Sequence, residues 1–283
     1  MLNPIRDQAR DATMNKIASD DPAFVELEVG SRRRYSPPDG NWGGLGEAIG
    51  KNTCLEKLSL ASYRRNLSTD HIQAFFRGVA QNRSLKVLHI EDKLYNPDDA
   101  DVFAILITFF QNNKNFERLK IIGSPGYLHS LAATLGKFDS LQELSLFGCK
   151  ISDEALIEVT QKLLKHSNLR KLDLSHNRKI GRLGYDGLIR LLQNPESRLT
   201  ALSLRGNCIR DEVAAATLAR GLAGNSSLEE LNLSPNDITG RGWEAIFMAF
   251  QNPNCKLESL DIHPSRIDDA AARFLSNALT NGI

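Results

Sequence analysis

Cysteine is scarce. Cys54, Cys149, Cys208 and Cys255 are the only four in 283 residues, and no two form a Cys-x-x-Cys pair. A disulfide framework needs denser, paired cysteines, so four reduced thiols in a reducing compartment are expected. Net charge is nearly absent too, +1 from 35 Lys and Arg against 34 Asp and Glu. No global field draws such a chain to nucleic acid or to a membrane surface, and electrostatic recognition must rest on local clusters. Long hydrophobic runs are missing. The longest, Val102–Phe110, is interrupted by Thr108 and falls far short of the roughly 20 residues that span a bilayer. The first twenty residues are polar and lack the apolar stretch of a secretory signal. The sequons at Asn66, Asn82, Asn225 and Asn232 are accordingly read as chance, and the cytoplasm or nucleocytoplasm as the expected location.

Catalytic signatures are equally missing. There is no His-Glu-x-x-His, no Gly-x-Ser-x-Gly and no P-loop. The glycine-rich segment Gly40–Gly46 lacks the phosphate-cradling spacing and reads as a loop leading into a helix over Gly44–Gly50. The six histidines are scattered. His71, His129 and His166 are expected at solvent-facing helix positions and His176 in a turn. His89 and His263 belong on strands several copies apart. Nothing pairs them as metal ligands or as a catalytic dyad. The reading is of a chain that is not an enzyme and has no cofactor and no metal.

What the sequence does contain is a repeat. The pattern Leu-x-x-Leu-x-Leu, often followed by x-x-Asn-x-Ile, begins at Leu141, Leu169, Leu199, Leu228 and Leu257. Looser copies begin at Leu55, Leu85 and Phe116, with the most degenerate at Phe24, giving nine copies spaced 25 to 31 residues apart. Within each copy the alternation around the second leucine predicts a short strand. Apolar residues at three-to-four spacing then predict a helix, as over Asp98–Gln111, Asp153–Lys165, Asp211–Ala223 and Gly242–Phe250. Ser152-Asp153-Glu154 and Asp268-Asp269 supply caps and acidic first turns. Gln-Asn or Gly-Asn pairs before the next leucine suit helix ends. No copy could bury its leucines alone, so stacked neighbours must build one continuous core. The Asn at the ninth motif position (Asn177, Asn207, Asn236, with Cys149 in its place) is expected to form a ladder of bonds to the turning backbone.

This pattern resembles the ribonuclease-inhibitor-like class of leucine-rich repeats. The resemblance runs from Phe24 to the C-terminus and is most specific in the last five copies. It implies an α/β solenoid of horseshoe form, with parallel strands on the concave face and helices on the convex face. The phrase Asn15–Val29 is similar to the entry of tropomodulin-like repeats. Residues 1–20 then form an N-terminal capping helix (Pro4–Ala18), residues 21–283 form a single repeat domain, and a helix over 268–280 closes its C-terminal end.

Strand alternation sends the residues flanking the inner leucines to the concave face. Most are polar and mixed in sign. The exception is Ile122 and Phe147, expected as neighbours on adjacent strands near Val87, and ringed by Arg118, Lys120, Glu143, His89 and Glu91. An apolar anchor surrounded by charge has the composition of a binding hot spot. Aligning the copies also gathers Arg32, Arg33, Arg34, Tyr35, Tyr63, Arg64, Arg65, Lys93 and Tyr95 on one rim near the N-terminal end. Arginine with tyrosine suits carboxylates, phosphates or stacked bases. Both clusters fall in or beside the irregular copies, and the five regular ones read as scaffold.

The function these features imply is a non-catalytic protein–protein interaction module, monomeric, holding another protein across the concave face and the N-terminal rim. The class also contains inhibitors, GTPase activators, actin-binding domains and immune-receptor sensor regions, so a regulator of an enzyme or of the cytoskeleton is the alternative. An anionic-ligand or nucleic-acid binder using the Arg/Tyr rim is a further alternative, against which the near-neutral charge argues.

Overall fold

The computed structural model describes residues 4–30, 35, 37, 40–61, 68–91, 100–123, 127–209, 212–262 and 267–280. The chain forms two compact units, Met1–Leu141 and Gln142–Ile283. In the first, helix α1 (Pro4–Ala18) precedes strands β1 (Glu26–Val29), β2 (Lys57–Leu60), β3 (Val87–Glu91) and β4 (Arg118–Ile122). These alternate with α2 (Trp42–Lys51), α3 (Thr69–Val79), α4 (Ala100–Asn112) and α5 (Tyr127–Leu135). In the second, β5 (Glu143–Phe147), β6 (Lys171–Asp173), β7 (Ala201–Ser203), β8 (Glu230–Asn232) and β9 (Ser259–Asp261) alternate with α6 (Asp153–Leu163), α7 (Arg182–Leu192), α8 (Glu212–Ala223), α9 (Gly240–Ala249) and α10 (Asp269–Thr280).

Within each unit every strand pairs in parallel with the next, and the register follows the repeat. Leu27, Leu58, Leu88 and Leu119 align across the first unit. Leu144, Leu172, Leu202, Leu231 and Leu260 align across the second. All but Leu260, on the last strand, are buried, each such side chain contributing about 1.5–3 kcal/mol relative to exposure. Where the first unit departs from the leucine motif, phenylalanine fills the core. Phe75, Phe76, Phe109, Phe110, Phe116 and Phe138 are all buried, with successive ring centroids such as Phe76–Phe109 at 5.2 Å and Phe110–Phe138 at 6.1 Å, mostly edge-on.

The ninth-position asparagines do form a ladder in the second unit. Asn177 donates to the carbonyls of Leu146 and Leu174, both at 2.8 Å, and accepts from the Ile151 amide. Asn207, one copy on, accepts from the Asn177 amide, and Asn236, two copies on, repeats the full pattern, donating to Leu204 and Leu233 and accepting from the Asn207 and Ile209 amides. A second asparagine series, read from sequence only as helix stops, joins the other end of the strands. Asn52 donates to the carbonyl of Ile17 and accepts from the Leu55 amide at 2.6 Å. Asn82 bonds the next copy likewise, and Asn194, Asn225 and Asn252 do the same in the second unit, donating to Leu164, Leu192 and Ala223. These amides satisfy main-chain groups that leave one helix before the next strand begins.

His166 corrects an expectation. It lies three residues before Leu169, the place Asn52, Asn82 and Asn225 hold before their own leucines, and it is buried rather than solvent-facing. The glycine-rich segment corrects another. Helix α2 starts at Trp42, because Asn41 caps it by accepting from the Gly44 amide at 2.8 Å, and the Trp42 ring packs edge-on against Phe75. Gly46 and Gly78 let α2 and α3 meet backbone to backbone, since a Cβ on either would collide with the other helix. Asp268 caps α10 through the Ala271 amide, so that helix begins one residue later than the spacing predicts.

Candidate binding face

On the first unit the parallel register fixes the surface columns. Glu26, Lys57, Val87 and Arg118 lie side by side, as do Glu28, Ser59, His89 and Lys120, with Glu91 beside Ile122. Glu26 and Lys57 form an ion pair. The His89 Nε2 stands 4.0 Å from a Glu91 carboxylate oxygen, with both side chains about three-quarters covered. Arg118 and Lys120 are exposed, while Val87 and Ile122 are half-buried apolar residues among them. Ser59 and Ala61 are buried, whereas Glu26 and Glu28 on β1 are exposed like Arg118 and Lys120 on β4.

Of the Arg/Tyr rim, only Tyr35 is described. Its main chain bridges to Val29 along the edge of β1, accepting from the Gly30 amide and donating to the Glu28 carbonyl, and its hydroxyl is buried. That backbone covers an otherwise open strand edge. Arg32, Arg33, Arg34, Tyr63, Arg64, Arg65, Lys93 and Tyr95 lie outside the described residues, as does His263.

Glu143 and Phe147 belong to the second unit. Phe147 is half-buried, its ring packed against His176 of the following copy with centroids 4.6 Å apart. The strand face of β6–β9 is a shallow concavity of about 380 Å³ whose polar lining includes Lys171, Asp173, Ser203, Glu230, Asn232 and Asp261. Two of its three carboxylates are held in place. Asp173 accepts from the Ser145 hydroxyl at 2.8 Å and the Ser175 amide at 2.9 Å, and Asp261 accepts from Asn232 at 2.7 Å. This floor carries more acid than base.

The residues that follow β5, β6 and β7 are the reverse. Lys150, Arg178, Lys179 and Arg205 are exposed. They lie in the regular copies, which the sequence presents as scaffold, rather than on the N-terminal rim where basic residues are expected. Comparing motif positions seven to eleven of the last five copies would have found them. Among the described residues no group of three or more His, Cys, Asp or Glu side chains could hold a metal ion, and no helix is long and apolar enough to cross a membrane.

Parallel strands in leucine register, each followed by a helix, with asparagine ladders at the turns, agree with a family comparison. The model described as "Leucine Rich repeat" matches residues 140–159, 165–189 and 224–247. The chain is built of leucine-rich repeats. Among curated relatives, this leucine-rich-repeat chain is 30% identical over 245 residues to human "NACHT, LRR and PYD domains-containing protein 12", an alignment covering 83% of the chain and 22% of that protein. It is 33% identical over 139 residues to the mouse protein of the same name, covering 49% of the chain and 13% of the relative. The chain thus spans about a fifth or less of the length of these relatives. Among solved structures, the leucine-rich repeat-containing protein LegL7 from Legionella pneumophila matches with a TM-score of 0.50 at 14% identity, over 95% of this chain and 94% of that one. The TLR13–ssRNA13 complex matches with a TM-score of 0.51 at 15% identity, over 90% of this chain and 35% of that one. Both likenesses are of fold. Leucine-rich-repeat domains serve in general as protein-interaction modules, without chemistry of their own.

Proposed function

We propose that the chain is a non-catalytic scaffold that holds a protein partner across its strand faces and the rims beside them. The carrying observation is the alignment of side chains that the leucine register produces. On each unit, polar residues of both signs stand in columns on the strand face with a half-buried apolar residue among them: Ile122 beside Glu91 and on the same strand as Lys120 on the first, Phe147 at the end of the strand that carries Glu143 and Ser145 on the second. A standard protein interface buries roughly 1,600 Å² in total, centred on such anchors. The N-terminal Arg/Tyr rim enters this reading on sequence alone.

The test begins with a partner recovered by native pull-down and identified by mass spectrometry. Its affinity is then measured for wild type and for Arg118→Ala, Lys120→Ala and Phe147→Ala. Loss of about tenfold or more in at least one variant is expected, in keeping with a charged or aromatic hot spot. Unchanged affinity with all three replaced overturns the assignment of these faces.

A second reading is favoured by the 30% identity to human NACHT, LRR and PYD domains-containing protein 12 across most of the chain. In it the repeats are the recognition part of a regulatory protein. The TLR13 neighbour is named as a complex with ssRNA13. Binding of nucleic acid by the present chain would require steep loss of affinity with added salt.

A further inference from the structure

The second unit separates its charges. The floor of its strand face holds Asp173, Glu230 and Asp261 against Lys171. The rim that follows β5, β6 and β7 holds Lys150, Arg178, Lys179 and Arg205, all exposed, before Asp237 follows β8, and none of these four cationic side chains makes an ion pair or hydrogen bond among the described residues. Successive strands lie about 4.8 Å apart. Cations from three consecutive copies are therefore close enough to meet one short segment.

The turn at the centre of this rim is unusual. At the eighth motif position the chain adopts a left-handed conformation, served by glycine in two copies, Gly148 at φ 64° and Gly206 at φ 67°. The copy between them places His176 there at φ 60°. A Cβ disfavours that region for a non-glycine residue, and such positions cluster at ligand clamps. What His176 adds is a ring laid against Phe147, giving the rim a half-exposed aromatic platform among unpaired cations.

We propose that this rim takes an acidic segment of a protein partner, with the Phe147–His176 rings as its apolar anchor and Arg178, Lys179 and Arg205 meeting its carboxylates. The proposal rests on the protein-binding reading above and adds the chemistry of the partner. Charge complementarity decides the class of occupant. A nucleic acid long enough to cover the rim would also overlie the neighbouring acidic floor and be repelled by it, whereas a short run of glutamates can end within the rim. A protein can offer carboxylates to the rim and cations or neutral groups to the floor.

The experiment uses the full chain and fluorescence anisotropy with three labelled probes: a short poly-glutamate peptide, a matched poly-lysine peptide, and an oligo-thymidylate long enough to cross the strand face. Poly-glutamate is expected to bind, more weakly as salt is added. The double variant Arg178→Glu/Lys179→Glu should weaken it about tenfold or more, as charge reversal at an interface does. His176→Gly, which restores the residue type of the sister turns and so keeps the fold, should weaken it about threefold or more through loss of the ring. No binding of poly-glutamate, equal binding by the charge-reversed variant, or oligo-thymidylate bound as tightly as poly-glutamate would each overturn the proposal. If a recovered partner is lost on Arg118→Ala while poly-glutamate ignores the rim, the scaffold reading stands and this one is removed.

Discussion

Asn82 donates from one side-chain nitrogen to the main-chain oxygens of Ile49 and Asn52, each at 2.7 Å, and so ties its own copy to the one before it. Its oxygen meanwhile accepts from the Ser84 and Leu85 amides, both at 2.9 Å. One fully buried side chain thus satisfies four backbone groups that water cannot reach.

Replacing it leaves those groups without partners. Asn82→Ala is expected to lower unfolding stability by about 2–4 kcal/mol, the sum of a few net hydrogen bonds and a desolvation penalty. Urea denaturation followed by circular dichroism measures this. A loss under about 0.5 kcal/mol would mean that the ladder is incidental.

Tyr185 should behave in the opposite sense. Its side chain is buried in α7 and its hydroxyl has no hydrogen-bond partner among the described residues. Burial pushes the hydroxyl well above the usual phenol range, and nearby Asp153 and Cys208 add to the shift. Tyr185→Phe removes an unsatisfied polar atom while keeping the ring, and is expected to leave stability unchanged or raise it by about 1 kcal/mol. A clear fall in melting temperature would reveal a bond that the hydroxyl makes in solution.

Asp20 gives the acid limb of the stability profile. Its carboxylate accepts from the Thr53 hydroxyl and amide, at 2.5 and 2.6 Å, and these bonds hold it below its usual value of 3.8. A group with a depressed folded pKa contributes stability that is fully present above its unfolded value and is lost as pH falls through the folded one. The difference in stability between wild type and Asp20→Asn should therefore be constant above about pH 5 and shrink below 3.8. Parallel denaturation curves from pH 7 down to 3 check it, and a difference that grows in acid would refute it.

Much of this molecule is legible in its leucines. The periodic pattern places each strand, because period-two alternation with a buried leucine has a single workable register. Helix ends differ by up to two residues, since caps such as Asn41 and Asp268 act through geometry that spacing does not encode. The ninth-position asparagines were readable because they recur at a fixed distance from the motif. The other series was not read as a ladder. Asn194 and Asn252 precede the next copy's first leucine by five residues, whereas Asn52, Asn82 and Asn225 precede theirs by three, and His166 interrupts the series. The basic rim of the second unit was hidden for a different reason. Regular copies draw attention to what they share, and recognition resides in what they do not. The expected anchor Phe147 was placed by alignment, but its partner His176 depends on a left-handed turn that composition does not disclose.

The asparagine ladders also bear on how such a chain changes over generations. Cohesion is carried by leucines pointing inward and by amides bonded to main chain, whose acceptors are the same whatever side chain they bear. The outward letters of each strand contribute little to holding the coils together, so they can drift while the stack endures. A lineage built this way can exchange one quarry for another by altering a few surface codons, without passing through an unfolded ancestor.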